Sequence, residues 1–78
     1  MYFKYDITPE DQKKIDKAFV YHAPKGDQVE RYPVLRAKGK ELAEKILQAC
    51  PPSDERDEAI KSLSNSIMWA NASIARNE

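Results

Sequence analysis

The segment "CPPSDERDEAIKSLSNSIMWANASIAR", residues 50–76, decides the fold of this 78-residue chain. It opens with two prolines, which end one helix, and continues with Ser53 as a helix N-cap and with Asp54 and Glu55 in the first helical turn. Apolar residues then recur at alternating spacings of three and four, the pattern of a coiled-coil seam: Ile60, Leu63, Ile67, Ala70 and Ile74. We predict a long helix over about residues 53–76, antiparallel to the helix before the turn.

The preceding segment has a helical pattern from Gln28 to Cys50, and Asp27 is its expected cap. Its predicted apolar face consists of Leu35, Leu42, Ala43, Ile46, Leu47 and Cys50. Pro33 removes one backbone donor from this helix, and we expect it either to kink the helix or to restart it.

A shorter helix is predicted over about residues 9–21. Thr8 can cap it, Pro9 suits its first position, and it should stop by Tyr21 or His22 because Pro24 disfavours helical backbone in the residue before it. The predicted fold class is therefore all-α, a single domain of residues 1–78. A short N-terminal helix precedes a long antiparallel hairpin with helices over about 28–50 and 53–76.

A chain of this length buries only a modest core unless disulfides, a metal or partner subunits add stability. Cys50 is the single cysteine and His22 the single histidine, so neither an intramolecular disulfide nor a four-ligand zinc site is expected. Met68, Trp69 and Ala72 widen the seam of the last helix beyond what one partner helix covers. We therefore expect the hairpin to assemble into a helical homo-oligomer.

Composition excludes several classes of function. Thirteen basic residues balance thirteen acidic ones, whereas binding to DNA or to an anionic membrane favours a basic excess. The sequence contains no apolar run of transmembrane or signal-peptide length, so a cytosolic, soluble protein is expected. We find no phosphate loop, paired-histidine metal motif or nucleophile elbow, and a cysteine on an apolar face is more typical of a packed residue than of a nucleophile paired with His22. We predict no enzyme, catalytic residue, metal ligand or cofactor.

The stretch "YHAPKGDQVERYPVLR", residues 21–36, is more informative about binding. Tyr32, Arg36 and Lys40 share one helical face, and a ring beside two cations suits a nucleotide, although nearby glutamates also fit a solvated face. Lys25 precedes a helix N-terminus, where anions bind readily.

Two aromatic side chains allow alternative interpretations. His22 can stack on a base or cap the end of the first helix. Trp69 can be a stacking platform, but its helical spacing beside Met68 is more typical of a core position.

Three segments carry a resemblance to a known family: "YHAPKGDQVERYPVLRAKGKELA", "CPPSDERDEAI" and "IMWANASIARNE". They resemble the small helical-hairpin domain of the phage anti-CBASS proteins, which act as cyclic-nucleotide sponges. A similar hairpin occurs in the larger phage anti-Thoeris sponges, which sequester a cyclic ADP-ribose derivative. The resemblance covers about residues 19–78.

The resemblance implies a homohexamer that binds cyclic dinucleotides such as cyclic GMP-AMP between neighbouring protomers and cyclic trinucleotides such as cyclic tri-AMP at separate sites. It implies that Tyr21 stacks on a base of the dinucleotide and that Arg36 contacts phosphate. Arg76 and Asn77 are the residues expected at the trinucleotide site. His22 and Lys25 are further ligand-binding candidates, and the expected location is the cytoplasm of the infected bacterial host.

A competing hypothesis is a protein-binding adaptor, in which the exposed apolar stripe docks onto a host protein and the charged face only interacts with solvent. An adaptor would be a monomer or a dimer, whereas a sponge needs a larger closed assembly to complete its pockets.

Overall fold

The protein is an all-helical hairpin preceded by a short helix. A computed structural model describes residues 4–78 and contains α1 (Pro9–Ala18), α2 (Gln28–Ala49) and α3 (Asp54–Asn77), with no strand among those residues. This confirms the predicted all-α class and the order of its elements. None of the three helices is both long enough and apolar enough to cross a membrane.

Contacts at three levels show that α2 and α3 run antiparallel. Near the turn, Arg56 of α3 donates to the carbonyl oxygens of Leu47 and Cys50, at 3.3 Å each. Midway along the hairpin, Gly39 lies against Ile67. At the open end, Arg31 in the second turn of α2 pairs with Glu78.

The turn is closed by capping interactions on both sides. Ser53 Oγ accepts the backbone N–H of Arg56 at 3.1 Å, which confirms the predicted N-cap of α3. The Arg56 guanidinium meanwhile satisfies carbonyl groups at the end of α2 that have no partner within that helix. One residue of α3 therefore completes hydrogen bonding at both of the helix ends that meet in this turn.

The middle of the hairpin is held by a close approach of the two helices. Gly39 is buried, and a Cβ placed there would lie 2.7 Å from Cγ1 and 3.0 Å from Cδ1 of Ile67. Only glycine leaves room for the Ile67 side chain at this depth. The five predicted seam residues of α3 are all half-buried, as are Leu35, Ala43 and Ile46 of α2, whereas Leu42, Leu47 and Cys50 of the predicted α2 face are exposed.

Glu78 holds the open end of the hairpin. We call Glu78 and its hydrogen-bond donors Lys25, Gln28 and Arg31 the Glu78 clamp. The carboxylate of Glu78 accepts from Gln28 Nε2 at 3.0 Å and from Arg31 Nη1 at 2.8 Å, and it also pairs with Arg31 Nη2. Lys25 Nζ donates to the backbone carbonyl oxygen of Glu78 at 2.7 Å. Gln28 is 3 % exposed, so the clamp contains the most deeply buried polar side chain of the described residues.

The start of α2 differs from the predicted capping pattern. Asp27 occupies the N-cap position, but its side chain makes no cap hydrogen bond and instead pairs with Arg31 at 3.0 Å. The helix passes through Pro33 without restarting. Pro33 cannot donate to the carbonyl of Val29, and the turn that precedes it is held by the Glu78 clamp.

The first helix is shorter than predicted. Thr8 Oγ1 accepts the N–H of Asp11 at 3.1 Å and Pro9 is the first helical residue, as expected, but α1 ends at Ala18 rather than near Tyr21. The prediction relied on Pro24 to stop the helix, yet Phe19 already leaves helical backbone. Residues 19–27 form an irregular connection in which Gly26 adopts φ 56°, a conformation that favours glycine.

A single chain leaves much of its surface open. Its accessible area is 6782 Å², whereas a compact monomer of 9.0 kDa exposes roughly 4,900 Å². Its radius of gyration is 17.5 Å against roughly 11.5 Å for a compact domain of this length. Among residues 4–78 no hydrophobic side chain is fully buried, so the hairpin is a thin layer without a core of its own.

Replacing Gly39 by alanine tests the close approach of α2 and α3. Alanine favours a helix over glycine by about 1 kcal/mol, but its Cβ would displace Ile67, and overpacking typically costs about 1–3 kcal/mol. We expect Gly39→Ala to lower the urea midpoint followed by far-UV circular dichroism. In a double-mutant cycle, Ile67→Ala should cost less in the Gly39→Ala background than in the wild type. Additive effects would show that the two residues do not share this contact.

The Glu78 clamp predicts a pH dependence of stability. Hydrogen bonds from Arg31, and next from Gln28, lower the pKa of Glu78 to about 2, below its ordinary value of 4.5. A depressed carboxyl pKa stabilises the fold above the unfolded-state value, and that stability is lost as the pH falls from about 4.5 towards 2.

We therefore expect the difference in thermal midpoint between wild type and Glu78→Gln to be largest above about pH 5 and to disappear near pH 2. Glu44→Gln, at an exposed position on α2 outside the clamp, is the matched control. A difference that is independent of pH would show that the ionised carboxylate does not hold the open end.

Candidate functional site

Two grooves flank α3 on the described part of the chain. The α1–α3 groove, lined by the last turns of α1 and by α3 from Trp69 to Asn77, has a volume of about 440 Å³. The α2–α3 groove lies between the middle of α2 and α3 from Ile60 to Asn71, with a volume of about 410 Å³. Each is of a size that holds a small ligand, and both are open to solvent.

The α1–α3 groove combines cations with an exposed aromatic ring. Lys14 and Lys17 of α1 face Trp69 and Arg76 of α3 across it, and none of its lining residues is acidic. The Arg76 guanidinium carbon lies 5.6 Å from the centre of the Trp69 ring, within the range of a cation–π contact. Lys17 Nζ donates to Asn77 Oδ1 at 2.6 Å and so ties α1 to the end of α3.

The α2–α3 groove has an apolar floor with cations at its edge. Its floor includes Ile60, Leu63 and Ile67, and Arg36 and Lys40 line it from α2. Asn71 is also among the lining residues, and its Oδ1 is buried without a hydrogen-bond partner among the described residues. The groove therefore offers apolar surface beside two cations.

The irregular connection between α1 and α2 presents Tyr21 and His22 to solvent. Tyr21 is 85 % exposed, and His22 is also exposed. Neither side chain lines either groove. Lys25, in the same connection, is engaged with the backbone of Glu78 in the Glu78 clamp.

The six predicted ligand-binding residues are thus distributed over four places. Arg76 and Asn77 lie together in the α1–α3 groove, whereas Arg36 lies in the α2–α3 groove. Tyr21 and His22 lie on the exposed connection, and Lys25 lies at the open end of the hairpin. One chain therefore groups the two trinucleotide candidates and does not assemble the dinucleotide candidates into one pocket.

Sequence reasoning overlooked the cations of α1 and misplaced Trp69. Within the chain Trp69 is 59 % exposed, so the interpretation as a core residue is wrong for the isolated hairpin. Lys14 and Lys17 at i and i+3, facing Trp69 and Arg76 at i and i+7, form a recognisable pattern. The pattern becomes informative only once α1 is known to pack against α3.

The structure separates the two side chains that a cysteine nucleophile would require. Cys50 follows α2 and His22 precedes it, and the 22 residues of that helix span about 33 Å. The six residues from His22 to Gln28 reach back about 21 Å at most, which leaves the Cα atoms of His22 and Cys50 at least about 12 Å apart and their side chains beyond hydrogen-bond distance. In the described residues no group of three or more histidine, cysteine, aspartate or glutamate side chains is placed to hold a metal ion.

Comparison with known proteins identifies the family. No curated protein and no solved structure matches the chain. The sequence model of the Acb2/Tad1 hairpin domain matches residues 11–75, which includes most of α1 and nearly the whole hairpin. Because the match spans far more than half of the chain, this protein belongs to the Acb2/Tad1 hairpin family, the anti-CBASS and anti-Thoeris sponge family that its sequence resembles.

Proposed function

We propose that the chain is a phage-encoded sponge that binds cyclic dinucleotide and cyclic trinucleotide second messengers and releases them uncleaved. The observation that carries the proposal is the family match over residues 11–75, because a sponge role for cyclic nucleotides is what this family implies. Host CBASS immunity would then fail because its effector is deprived of the signal. The site of action is the cytoplasm of the infected bacterium, where that signal is made.

The proposed dinucleotide site uses Tyr21, Arg36, His22 and Lys25. The Tyr21 ring is free to stack on a base, and the planar Arg36 guanidinium suits a bidentate contact with phosphate. Since these side chains do not share a groove within one chain, the pocket is completed by a neighbouring protomer. Cyclic GMP-AMP is the representative ligand of this site.

The proposed trinucleotide site uses Arg76 and Asn77, with cyclic tri-AMP as its representative ligand. Both residues belong to the last turn of α3, and Asn77 is held by Lys17 on one side and by its own hydrogen bond to the Ser73 carbonyl, 2.8 Å, on the other. A charged side chain and a fixed amide at one helix end suit a phosphate and a base edge.

The proposed assembly is the homohexamer that the family resemblance implies, and the open surface of the hairpin supports self-association. Large apolar side chains that one chain leaves exposed include Val34, Leu42, Leu47 and Met68. Burial of such side chains against neighbouring protomers would stabilise an assembly by roughly 25 cal/mol for each Å² removed from water. The zero net charge at pH 7 gives no support to DNA or membrane partners.

Sequestration works by mass action and needs no cofactor. A binder lowers the free messenger in proportion to its own abundance, provided that its dissociation constant lies below the messenger concentration. Because no bond of the ligand is broken, the messenger can be recovered intact from the complex.

Titration calorimetry with cyclic GMP-AMP and cyclic tri-AMP tests the sponge and its dinucleotide site together. We expect submicromolar binding by the wild type and recovery of unchanged ligand. The double variant Tyr21→Ala/Arg36→Ala should lose cyclic GMP-AMP binding and keep cyclic tri-AMP binding, helicity and assembly. Lys45→Ala, on an exposed part of α2 outside both grooves, is the charge-matched control. A double variant that still binds cyclic GMP-AMP would remove both residues from the site, and a wild type that gives no heat with any cyclic nucleotide would refute the sponge.

The mass of the assembly separates the sponge from the adaptor. Six chains of 9.0 kDa give about 54 kDa, which we expect from light scattering on the eluting protein. An adaptor that binds a host protein through its apolar stripe would elute as a monomer or a dimer. A mass of one or two chains at working concentration would therefore favour the adaptor.

A further inference from the structure

The α1–α3 groove contains more binding chemistry than Arg76 and Asn77 alone supply. Lys14 and Lys17 enter it from α1, and Trp69 lies in it about two turns before Arg76 along α3. None of these three residues is needed for the contacts that hold the hairpin together, which are made by Gly39, Arg56 and the Glu78 clamp.

The charges of the groove define the sign of its occupant. Three cations, Lys14, Lys17 and Arg76, line a volume of about 440 Å³ that no carboxylate lines. The chain as a whole is neutral, so this local excess of positive charge is not a consequence of composition. Such a concave cluster attracts an anion carrying more than one charge, since a single charge would leave cations unpaired at close range.

The ring of Trp69 defines the shape of the occupant. Arg76 lies over the indole ring, and Trp69 nevertheless remains 59 % exposed within the chain. An exposed indole beside cations is a platform for a planar ring that is attached to phosphate. The Arg76 guanidinium beside this ring can also donate to a phosphate, so base and phosphate contacts would be adjacent.

From this geometry we infer that Trp69 stacks on a base of a phosphate-bearing ligand in the α1–α3 groove, and that Lys14 and Lys17 bind its phosphates together with Arg76. The inference rests on the proposed function for the class of ligand, a cyclic oligonucleotide. It adds a stacking residue and makes α1 one wall of the site. The helix that precedes the hairpin is then a binding element and not only a connection to the N-terminus.

The single tryptophan provides a direct readout that needs no mutation. Cyclic tri-AMP is titrated into the wild-type protein while indole fluorescence and calorimetric heat are recorded in parallel. We expect quenching that saturates with the same midpoint as the heat, because the ring that stacks on the base is the emitting group. Cyclic GMP-AMP, bound elsewhere, should give heat with little quenching.

Substitutions then separate stacking from packing. Trp69→Leu should weaken cyclic tri-AMP binding by about tenfold or more, whereas Trp69→Phe should retain most of the affinity because a ring remains. Lys14→Ala should weaken cyclic tri-AMP binding and reduce its salt dependence, and Lys45→Ala should leave both unchanged. Helicity and assembly mass are recorded for every variant.

The outcomes distinguish this inference from the proposed function. Heat with cyclic tri-AMP but no change in indole fluorescence, or Trp69→Leu binding at wild-type affinity, would overturn the inference and leave the sponge intact. Cyclic GMP-AMP binding without any cyclic tri-AMP binding would also overturn it. The absence of heat with every cyclic nucleotide would overturn both.

Discussion

The contact between Gly39 and Ile67 sets the spacing on which the rest of the molecule depends. With a buried glycine at the crossing, α2 and α3 approach closely enough for Arg56 to reach the last carbonyls of α2 at one end and for Glu78 to reach Gln28 and Arg31 at the other. A wider spacing between α2 and α3 would break the hydrogen bonds of Arg56 at the turn and those of Glu78 at the open end. Because the layer has no buried hydrophobic side chain among residues 4–78, these three contacts position the helices more than a core does.

A thin hairpin of this kind leaves much of its apolar surface uncovered in a single chain. Its apolar side chains are half-buried along the seam and exposed on both sides of it, so the burial that usually offsets the conformational entropy of folding is incomplete in one chain. The two grooves beside α3 are also only partly enclosed by one chain. They are lined on two sides by the chain and open on the third, and the same surfaces that stabilise an assembly would also enclose its ligands.

The features that could be predicted from the sequence are those determined by residues close together in the chain. The caps Thr8 and Ser53, the tight turn and the seam of α3 all follow from residues a few positions apart. The Glu78 clamp and the Lys17–Asn77 contact join residues about 50 to 60 positions apart, so no local sequence pattern predicts these contacts. Trp69 was misjudged for a related reason, because helical periodicity shows which residues share a face and not what covers it. Gly39 lay outside the predicted apolar face, since a missing side chain adds nothing to a hydrophobic pattern.

Pro33 weakens the connection between the open end of the hairpin and the rest of α2. Pro33 lacks a backbone N–H and so removes one backbone hydrogen bond from α2. The turn before Pro33 is therefore connected to the remainder of the helix by one backbone hydrogen bond fewer than other turns of α2. Lys25, this turn and the last residues of α3 are joined through Glu78, so the polar contacts of this patch are separate from the Gly39–Ile67 contact in the middle of the hairpin. A molecule that bridges this patch would have to hold it closed, and any fraction of chains in which the patch is open would weaken the apparent affinity of that molecule in proportion.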